Sequence, residues 1–284
     1  MGATRSRIAP VQPTPIDRSL THAVSRGDLV RVGSEFDGGY VVPAEILANC
    51  DGILGLGVHA DWSFEEQALA RMAARRADLY DPTTTLPWLW SRAPWGVVRV
   101  LGGILSGRAK RAKRAADGRA RLAAPWRYGR FFRDPVRHVR AFIGPEDRAG
   151  QVGIARAMAE LRARGASRIV LKMDIEGAEY ETLAGIARWG EAVDLLLVEF
   201  HGIDADTARF NALMRELSEL FVPVHLHGNN SAPLTADGFP SMVEITFAAR
   251  RALPPPIEVA ERAYPDARLD RANSLRGADL SFRA

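Results

Sequence analysis

Short apolar runs alternate with segments of helical periodicity along most of the chain, and this alternation limits the fold more than any other feature. Runs of strand length occupy residues 53–58, 77–80, 139–143, 168–174, 193–200, 222–227 and 241–248. Apolar residues at helical spacing occupy residues 62–76, 154–164, 178–188 and 205–220. Strands that alternate with helices form a mostly parallel sheet with helices on both faces. The sequence therefore predicts an α/β, Rossmann-like fold.

The last two predicted strands are an exception to this alternation. Residues 222–227 and 241–248 are separated by a loop with no helical pattern. Parallel neighbours need a crossover, whereas a loop suffices for an antiparallel pair. We therefore expect one antiparallel strand near the C-terminal end of the sheet.

The charge of the chain is concentrated in one segment. The 284 residues carry a formal net charge of +4, yet residues 92–140 alone contain fourteen Lys or Arg and only Asp117 and Asp134. The remainder is acidic, so the basicity of the whole chain is no indication of nucleic-acid binding. The single cysteine, Cys50, excludes an internal disulfide and predicts a cytoplasmic protein.

Three regions follow from these patterns. We predict an N-terminal segment over residues 1–50, a Rossmann-like domain over 51–250 with a basic insertion at 88–138, and an extension over 251–284. The extension lacks a regular hydrophobic pattern from Pro254 onward, so we expect it to be loosely packed.

Gly55 and Gly57 end the first predicted strand, and Asp81 ends the second. Glycines at this turn allow a close backbone approach to a ligand, and an acidic side chain at the next strand end accepts hydrogen bonds from ribose hydroxyls. The three residues predict a nucleoside-binding site without distinguishing NAD from adenosylmethionine. The alternative is that the glycines serve only strand packing.

Polar residues follow three further strands. Asp174 and Glu176 end one strand, Glu199 and His201 the next, and His225, His227, Asn229 and Asn230 the one after. Ligands bind beyond the carboxyl ends of parallel strands. We therefore expect these side chains to share one pocket, although a glutamate at a helix start also favours the helix dipole and a single histidine is often structural.

Four blocks of the sequence resemble the FkbM-type methyltransferases and their METTL-like relatives. They are RVGSEFDGGYVV at 31–42, ILGLGV at 53–58 with DWSFE at 61–65, LKMDIEGAE at 171–179, and HGNN at 227–230. The resemblance covers about residues 28–250 without the basic insertion, and its most specific block is LKMDIEGAE. It implies a class I methyltransferase fold, S-adenosylmethionine as the methyl donor, and O-methylation of a sugar, glycolipid or secondary-metabolite hydroxyl.

This reaction assigns roles to the residues at the strand ends. A hydroxyl needs a general base, for which His201, oriented by Glu199, is the first candidate and His227 the second. A Mg²⁺ or Mn²⁺ ion held by Asp174, Glu176 or Glu199 is an alternative way to activate it. Gly55, Gly57, Asp81 and Asp174 would bind the donor.

Tyr40 follows Asp37-Gly-Gly in a segment expected to cover the donor site. The two glycines predict a tight loop that brings Tyr40 to the ligand. A surface turn with Tyr40 packed on the core is an equal alternative.

The basic insertion places Trp88, Trp90 and Trp95 beside an apolar run and a cluster of Lys and Arg. Tryptophan next to a basic amphipathic stretch favours peripheral docking of residues 88–114 on an anionic membrane, at the inner membrane face, or on an acidic glycolipid. A solvated helix pair over the active site is the alternative. The charges lack a nucleic-acid reading module, so no nucleic acid is expected.

Two other functions compete with a methyltransferase. A nicotinamide-dependent oxidoreductase shares the ribose-binding aspartate, but Ala60 stands where the third glycine of its fingerprint is expected. A non-catalytic membrane- or glycan-docking protein on the same scaffold has no need of the acidic and histidine-rich strand ends.

Overall fold

The computed structural model describes residues 14–35, 37–104, 108–274 and 277–284, with the side chains of 108–110 left undescribed. The first thirteen residues of the predicted N-terminal segment, Phe36 of its RVGSEFDGGYVV block, and residues 105–107 of the predicted basic insertion lie outside this part of the chain.

The described chain contains fifteen strands, many of them short, and seven α-helices. The strands are β1 (Ala23–Val24), β2 (Leu29–Gly33), β3 (Gly39–Pro43), β4 (Gly52–Leu56), β5 (Arg76–Tyr80), β6 (Val136–Val139), β7 (Phe142–Gly144), β8 (Gln151–Gly153), β9 (Ile169–Met173), β10 (Val193–Phe200), β11 (Phe221–Gly228), β12 (Val243–Ala249), β13 (Val259–Ala260), β14 (Ala263–Tyr264) and β15 (Phe282–Arg283). The helices are α1 (Ala44–Asn49), α2 (Ser63–Leu69), α3 (Leu86–Ile104), α4 (Arg108–Phe131), α5 (Ile154–Ala163), α6 (Glu179–Leu183) and α7 (Thr207–Leu220).

The central sheet has seven strands in the order β11-β12-β10-β9-β4-β5-β6. Strand β12 is antiparallel to both of its neighbours, β10 and β11, whereas the pairs from β10 to β6 are parallel. The predicted mostly parallel α/β sheet with one antiparallel strand near the C-terminus is therefore confirmed.

Both faces of this sheet are covered, which explains why its strands are almost continuously apolar. Along β10, Leu196 and Val198 belong to one hydrophobic cluster and Leu195 and Leu197 to the other. This alternation is the period of two expected of a strand. Helix α5 packs on the first face, and helix α2 packs on the second.

Three predicted elements have different bounds. The strand predicted over residues 139–143 is wrong: β6 ends at Val139, and the backbone turns as Ala141 N donates to the Val139 carbonyl at 3.0 Å. The helix predicted over 62–76 ends at Leu69, and Ala73 N bonds the Cys50 carbonyl instead. The helix predicted over 178–188 is broken by Gly185, whose φ of +76° is left-handed.

The basic insertion folds as a helical hairpin of α3 and α4, which leaves the sheet after β5 and returns at β6. The two helices pack closely at Gly96, where an added Cβ would lie 2.5 Å from the Gly118 carbonyl oxygen. We call α3 and α4 together the α3–α4 hairpin.

The C-terminal extension is well packed, contrary to the sequence-based expectation. Strand β13 pairs with β1, and β14 pairs with β15. Tyr264 and Phe282 are buried and stack with their ring centroids 5.3 Å apart. The extension therefore forms part of the fold around the C-terminal end of β11 and the N-terminal end of the antiparallel strand β12.

Candidate functional site

The carboxyl ends of β4 and β9 meet at Gly57 and Asp174. Gly57 has a φ of +77°, and an added Cβ would lie 1.6 Å from the backbone oxygen of Asp174. Asp174 N in turn donates to the Leu56 carbonyl at 3.1 Å. Glycine is required at position 57 because the neighbouring strand end occupies the space of a side chain. At Gly55 the space is taken by a side chain instead, since an added Cβ would lie 2.6 Å from Cδ2 of Leu79.

His201 immediately follows β10 and reaches the same strand ends. Its Nδ1 atom lies 3.1 Å from Oε1 of Glu179. Its Nε2 atom lies 3.9 Å from Oδ1 of Asp174 and 3.8 Å from Oε2 of Glu176. Nδ1 can donate its proton to Glu179, and Nε2 faces the two acidic side chains at the sheet edge.

Glu179, rather than the predicted Glu199, therefore orients His201. Oε1 of Glu179 also accepts hydrogen bonds from Ile175 N at 3.0 Å and Gly177 N at 3.1 Å. A single buried carboxylate thus fixes both the histidine ring and the turn that carries Asp174 and Glu176. The acidic block LKMDIEGAE contained this residue, but its sequence alone did not relate it to His201.

The electrostatics of this edge are unusual. Burial raises the pKa of Asp174 to about 6, with a smaller upward contribution from the charges of Glu176 and Asp37. Burial alone would lower the pKa of His201, but the hydrogen bond and charge of Glu179 outweigh it and raise the pKa to about 9. His201 is therefore mainly a cation at neutral pH in the protein without ligands.

Glu199 lies near this edge but has a different partner. Its Oε1 atom accepts a hydrogen bond of 2.6 Å from Nδ2 of Asn229. Burial raises the pKa of Glu199 well above its usual range, and the charges of Glu244 and Asp174 add to the shift. Glu199 and Glu244 are cross-strand partners on β10 and β12.

His227, the second predicted base, is held on both sides. Its Nδ1 lies 3.3 Å from Glu244, and its Nε2 lies 3.1 Å from both oxygens of Asp279. Burial opposes charging, but these two carboxylates raise the pKa of His227 to about 10. With both ring nitrogens occupied, His227 has no free atom to accept a substrate proton, and the prediction of His227 as a base is corrected.

The C-terminal extension supplies the partners that sequence reasoning missed here. Asp270 bonds Nε2 of His225 at 2.8 Å, and Asn273 donates to Glu244 at 2.7 Å. The side chain of Asn230 donates to backbone oxygens of the extension, including that of Ser274 at 2.8 Å. The histidines and Asn230 of β11 and its loop therefore anchor the extension.

Asp81 is buried at the end of β5, where its carboxylate organises the following turn. Oδ1 accepts hydrogen bonds from the backbone N atoms of Thr83 and Thr84 and from the Thr83 hydroxyl. Oδ2 accepts from His59 N, a residue with a φ of +45°. Each carboxylate oxygen has two lone pairs, so Oδ2 keeps one acceptor position for a ligand hydroxyl.

Tyr40 is buried against Phe64, with ring centroids 5.5 Å apart. Nζ of Lys172 lies 5.3 Å from the Tyr40 ring centroid and 3.6 Å from Oε1 of Glu65. Both oxygens of Glu65 are buried without a hydrogen-bond partner. The core-packed alternative for Tyr40 therefore describes its position, above a buried ion pair that the sequence analysis did not identify.

Asp174, Glu176 and His201 form a cluster that could hold a metal ion, because one ligand atom of each lies within 4.8 Å of the others. The predicted set contained Glu199 in place of His201. Carboxylate and imidazole ligands suit Mn²⁺, and the contact between Glu179 and His201 is the outer-shell support that metal-binding histidines usually have.

A cleft of about 1070 Å³ lies between the α3–α4 hairpin, the loop after β11 and the C-terminal extension. Its lining includes Asp37, Arg99, Lys113, Asn230 and Asn273. The Oδ1 atom of Asn273 is buried and has no hydrogen-bond partner. The charge of Asp37, which lines the cleft, is one of those that raise the pKa of Asp174.

Comparisons with known proteins give no family: no model of a known protein family matches the chain, and no curated protein matches it. Among the described residues, none of the helices combines the length and the apolar character needed to span a bilayer.

Proposed function

We propose that the protein is an S-adenosylmethionine-dependent O-methyltransferase with a class I methyltransferase fold. The main support is the convergence of Gly57, Asp174 and His201 at the carboxyl ends of three adjacent parallel strands. Ligands of such sheets bind at this edge. The antiparallel strand β12 between β10 and β11 is the arrangement expected of class I methyltransferases. We propose cytoplasmic action, consistent with the free, buried thiol of Cys50.

The residues of this edge suit a cationic nucleoside. Oδ2 of Asp81 retains an acceptor position suited to a ribose hydroxyl. Asp174 and Glu176 provide negative charge that favours a sulfonium. When bound, S-adenosylmethionine supplies an electrophilic methyl group.

His201 is proposed to remove the acceptor proton through Nε2 while Glu179 holds Nδ1. The proton goes from the acceptor hydroxyl to the imidazole, and the resulting imidazolium is stabilised by Glu179. A sulfonium nearby would lower the pKa of His201 from about 9 toward neutrality, because like charges repel. A larger fraction of His201 would then be neutral at pH 7 in the donor complex.

A divalent cation at Asp174, Glu176 and His201 is a second proposal for activating the hydroxyl, favoured by the proximity of their ligand atoms. It would act as a Lewis acid and leave His201 unable to serve as the base. Dialysis against EDTA, followed by addition of Mg²⁺ or Mn²⁺, distinguishes the two mechanisms. Turnover without metal supports His201 as the base, whereas turnover that only metal restores supports activation by a bound cation.

We propose that the acceptor lies in the cleft between the hairpin and the extension. Its asparagine and serine side chains suit the hydroxyls of a sugar, a glycolipid or another small hydroxyl-bearing molecule, and Oδ1 of Asn273 needs a donor. Exposed Ser231 also lines the cleft. Screening would first identify a glycan that the protein methylates. Ser231→Leu should raise KM for this acceptor and leave donor binding unchanged.

Calorimetry with S-adenosylmethionine, S-adenosylhomocysteine and NAD tests the donor assignment. We expect S-adenosylhomocysteine to bind and Asp81→Asn to weaken it by about tenfold or more, as for loss of a charged hydrogen bond. Thr84→Val is the matched control, because it removes only the hydroxyl bond to the His59 carbonyl in the same turn. Binding of NAD with no response to S-adenosylhomocysteine would contradict the proposal.

A further inference from the structure

The exposed apolar side chains of this protein are concentrated on one element. Of eleven large hydrophobic residues exposed in the described chain, seven lie on α3 and one, Trp126, on α4. A monomeric surface normally scatters such residues, and a contiguous group marks a binding surface.

Five of them form a stripe along α3. Leu86, Trp90, Val97, Leu101 and Ile104 are spaced by four, seven, four and three residues, which puts them on one helix face. Trp126 extends this stripe, because its ring lies 4.6 Å from that of Trp90 in an edge-on arrangement. The face of α3 that carries Gly96 and Gly103 packs on α4. The stripe residues are 41–57% exposed, and the ring contact of Trp90 with Trp126 joins them to α4.

The same hairpin is strongly basic. Helix α4 contains nine Lys or Arg and one Asp, and α3 contains two Arg and no acidic residue. An apolar stripe beside a basic helix is the pattern of an element that lies in the interface of an anionic bilayer. Helix α3 has 19 residues, about 28 Å at 1.5 Å per residue, but no described helix is apolar enough to cross a bilayer. The pattern therefore favours lying on the membrane.

We infer that the α3–α4 hairpin docks the protein on an anionic phospholipid membrane surface, with the α3 stripe in the headgroup region and the basic side chains on the lipid charges. A second copy of the chain fits this surface less well, because a symmetric dimer would bring two strongly positive hairpins together. The inference does not depend on the proposed methyl transfer.

Vesicle flotation of the full chain tests this inference. We expect flotation with phosphatidylcholine vesicles containing one quarter phosphatidylserine, and little with phosphatidylcholine alone or at high salt. The triple variant Trp90→Ser, Leu101→Ser, Ile104→Ser should lower the bound fraction at least about tenfold, because it removes the side chains that enter the bilayer. The matched control is Phe142→Ser, Leu234→Ser, Val259→Ser, which changes three exposed residues outside the hairpin and should float like the wild type.

A charge variant separates the two contributions. Arg111→Gln with Arg119→Gln should weaken flotation and reduce its salt dependence, whereas Arg148→Gln with Arg188→Gln, on exposed sites elsewhere, should not. Thermal unfolding and circular dichroism check that each variant is folded. The inference is overturned if the wild type does not float, if the stripe variant floats equally, or if light scattering shows a dimer that the stripe variant dissociates.

Discussion

Glu179 and His201 are 22 residues apart in the sequence and are joined by a contact of 3.1 Å between Oε1 and Nδ1. This contact orients the imidazole and raises its pKa, while the same carboxylate oxygen holds the turn carrying Asp174 and Glu176. The proposed base must be neutral to act, and it is held by a group that favours its charged form.

The first prediction concerns the pH dependence of turnover. As the proposed base, His201 accepts a proton only when neutral. The value of kcat/KM for S-adenosylmethionine, which reports the enzyme before the donor binds, should therefore rise with pH through a midpoint near the pKa of about 9 and level off above it. Glu179→Gln should shift this midpoint to lower pH, because it removes the carboxylate charge that raises the pKa. His201→Ala should abolish turnover and keep S-adenosylhomocysteine binding; a fully active variant would remove His201 from the mechanism.

The second prediction concerns the buried pair of Lys172 and Glu65. Lys172→Met should lower the free energy of unfolding by about 3–5 kcal/mol, because it leaves the Glu65 carboxylate buried without a cation. The double variant with Glu65→Gln should recover most of this loss in denaturant titrations. Arg156→Met, which breaks an exposed pair with Glu160, should lower the free energy of unfolding far less, because solvent screens that pair; equal losses at both sites contradict the argument.

The third prediction compares two glycines with the same backbone conformation. Gly57 and Gly150 both have a φ of +77°, but an added Cβ at Gly150 meets nothing within 4 Å. Gly150→Ala should therefore lower the free energy of unfolding only by the conformational penalty of about 1–2 kcal/mol. Gly57→Ala should lower the free energy of unfolding clearly more and also weaken donor binding, because the new Cβ collides with the Asp174 carbonyl. Similar decreases in the unfolding temperature of the two variants would show that the backbone at the strand ends moves readily to accommodate the added Cβ.

The fourth prediction concerns stability at alkaline pH. The pKa of His227 is raised in the folded state from 6.5 to about 10, so its charge adds stability that is fully present below pH 6.5 and is lost as pH rises through about 10. The unfolding midpoint should fall across this range. His227→Gln should flatten the profile and lower stability at pH 7 by about 3–5 kcal/mol, because Glu244 and Asp279 lose their cation. An unchanged slope in the variant contradicts this assignment.

Much of the sheet could be predicted because its strands are buried on both faces and therefore read as apolar runs. The loop between β11 and β12 was enough to predict the antiparallel strand. The orientation of His201 could not be predicted, because β10 ends at Phe200 and the alternation of strand side chains no longer applies beyond it.

The contacts of the C-terminal extension with the histidines of β11 could not be predicted from the sequence either. Asp270 and Asp279 lie in an irregular segment, 45 and 52 residues from the histidines that they bind. Hydrophobic periodicity carries no information about such polar partners. The two carboxylates become recognisable only when the fold brings them to β11.

The attachment of the α3–α4 hairpin has a consequence for how this protein could change during evolution. The hairpin begins after β5 and ends before β6, two strands that pair side by side in the sheet. Its replacement by a shorter or different connection would leave the order of the sheet and the His201 edge in place. The region beside the proposed acceptor cleft can therefore diversify as an exchangeable module, while the residues at the strand ends stay in place.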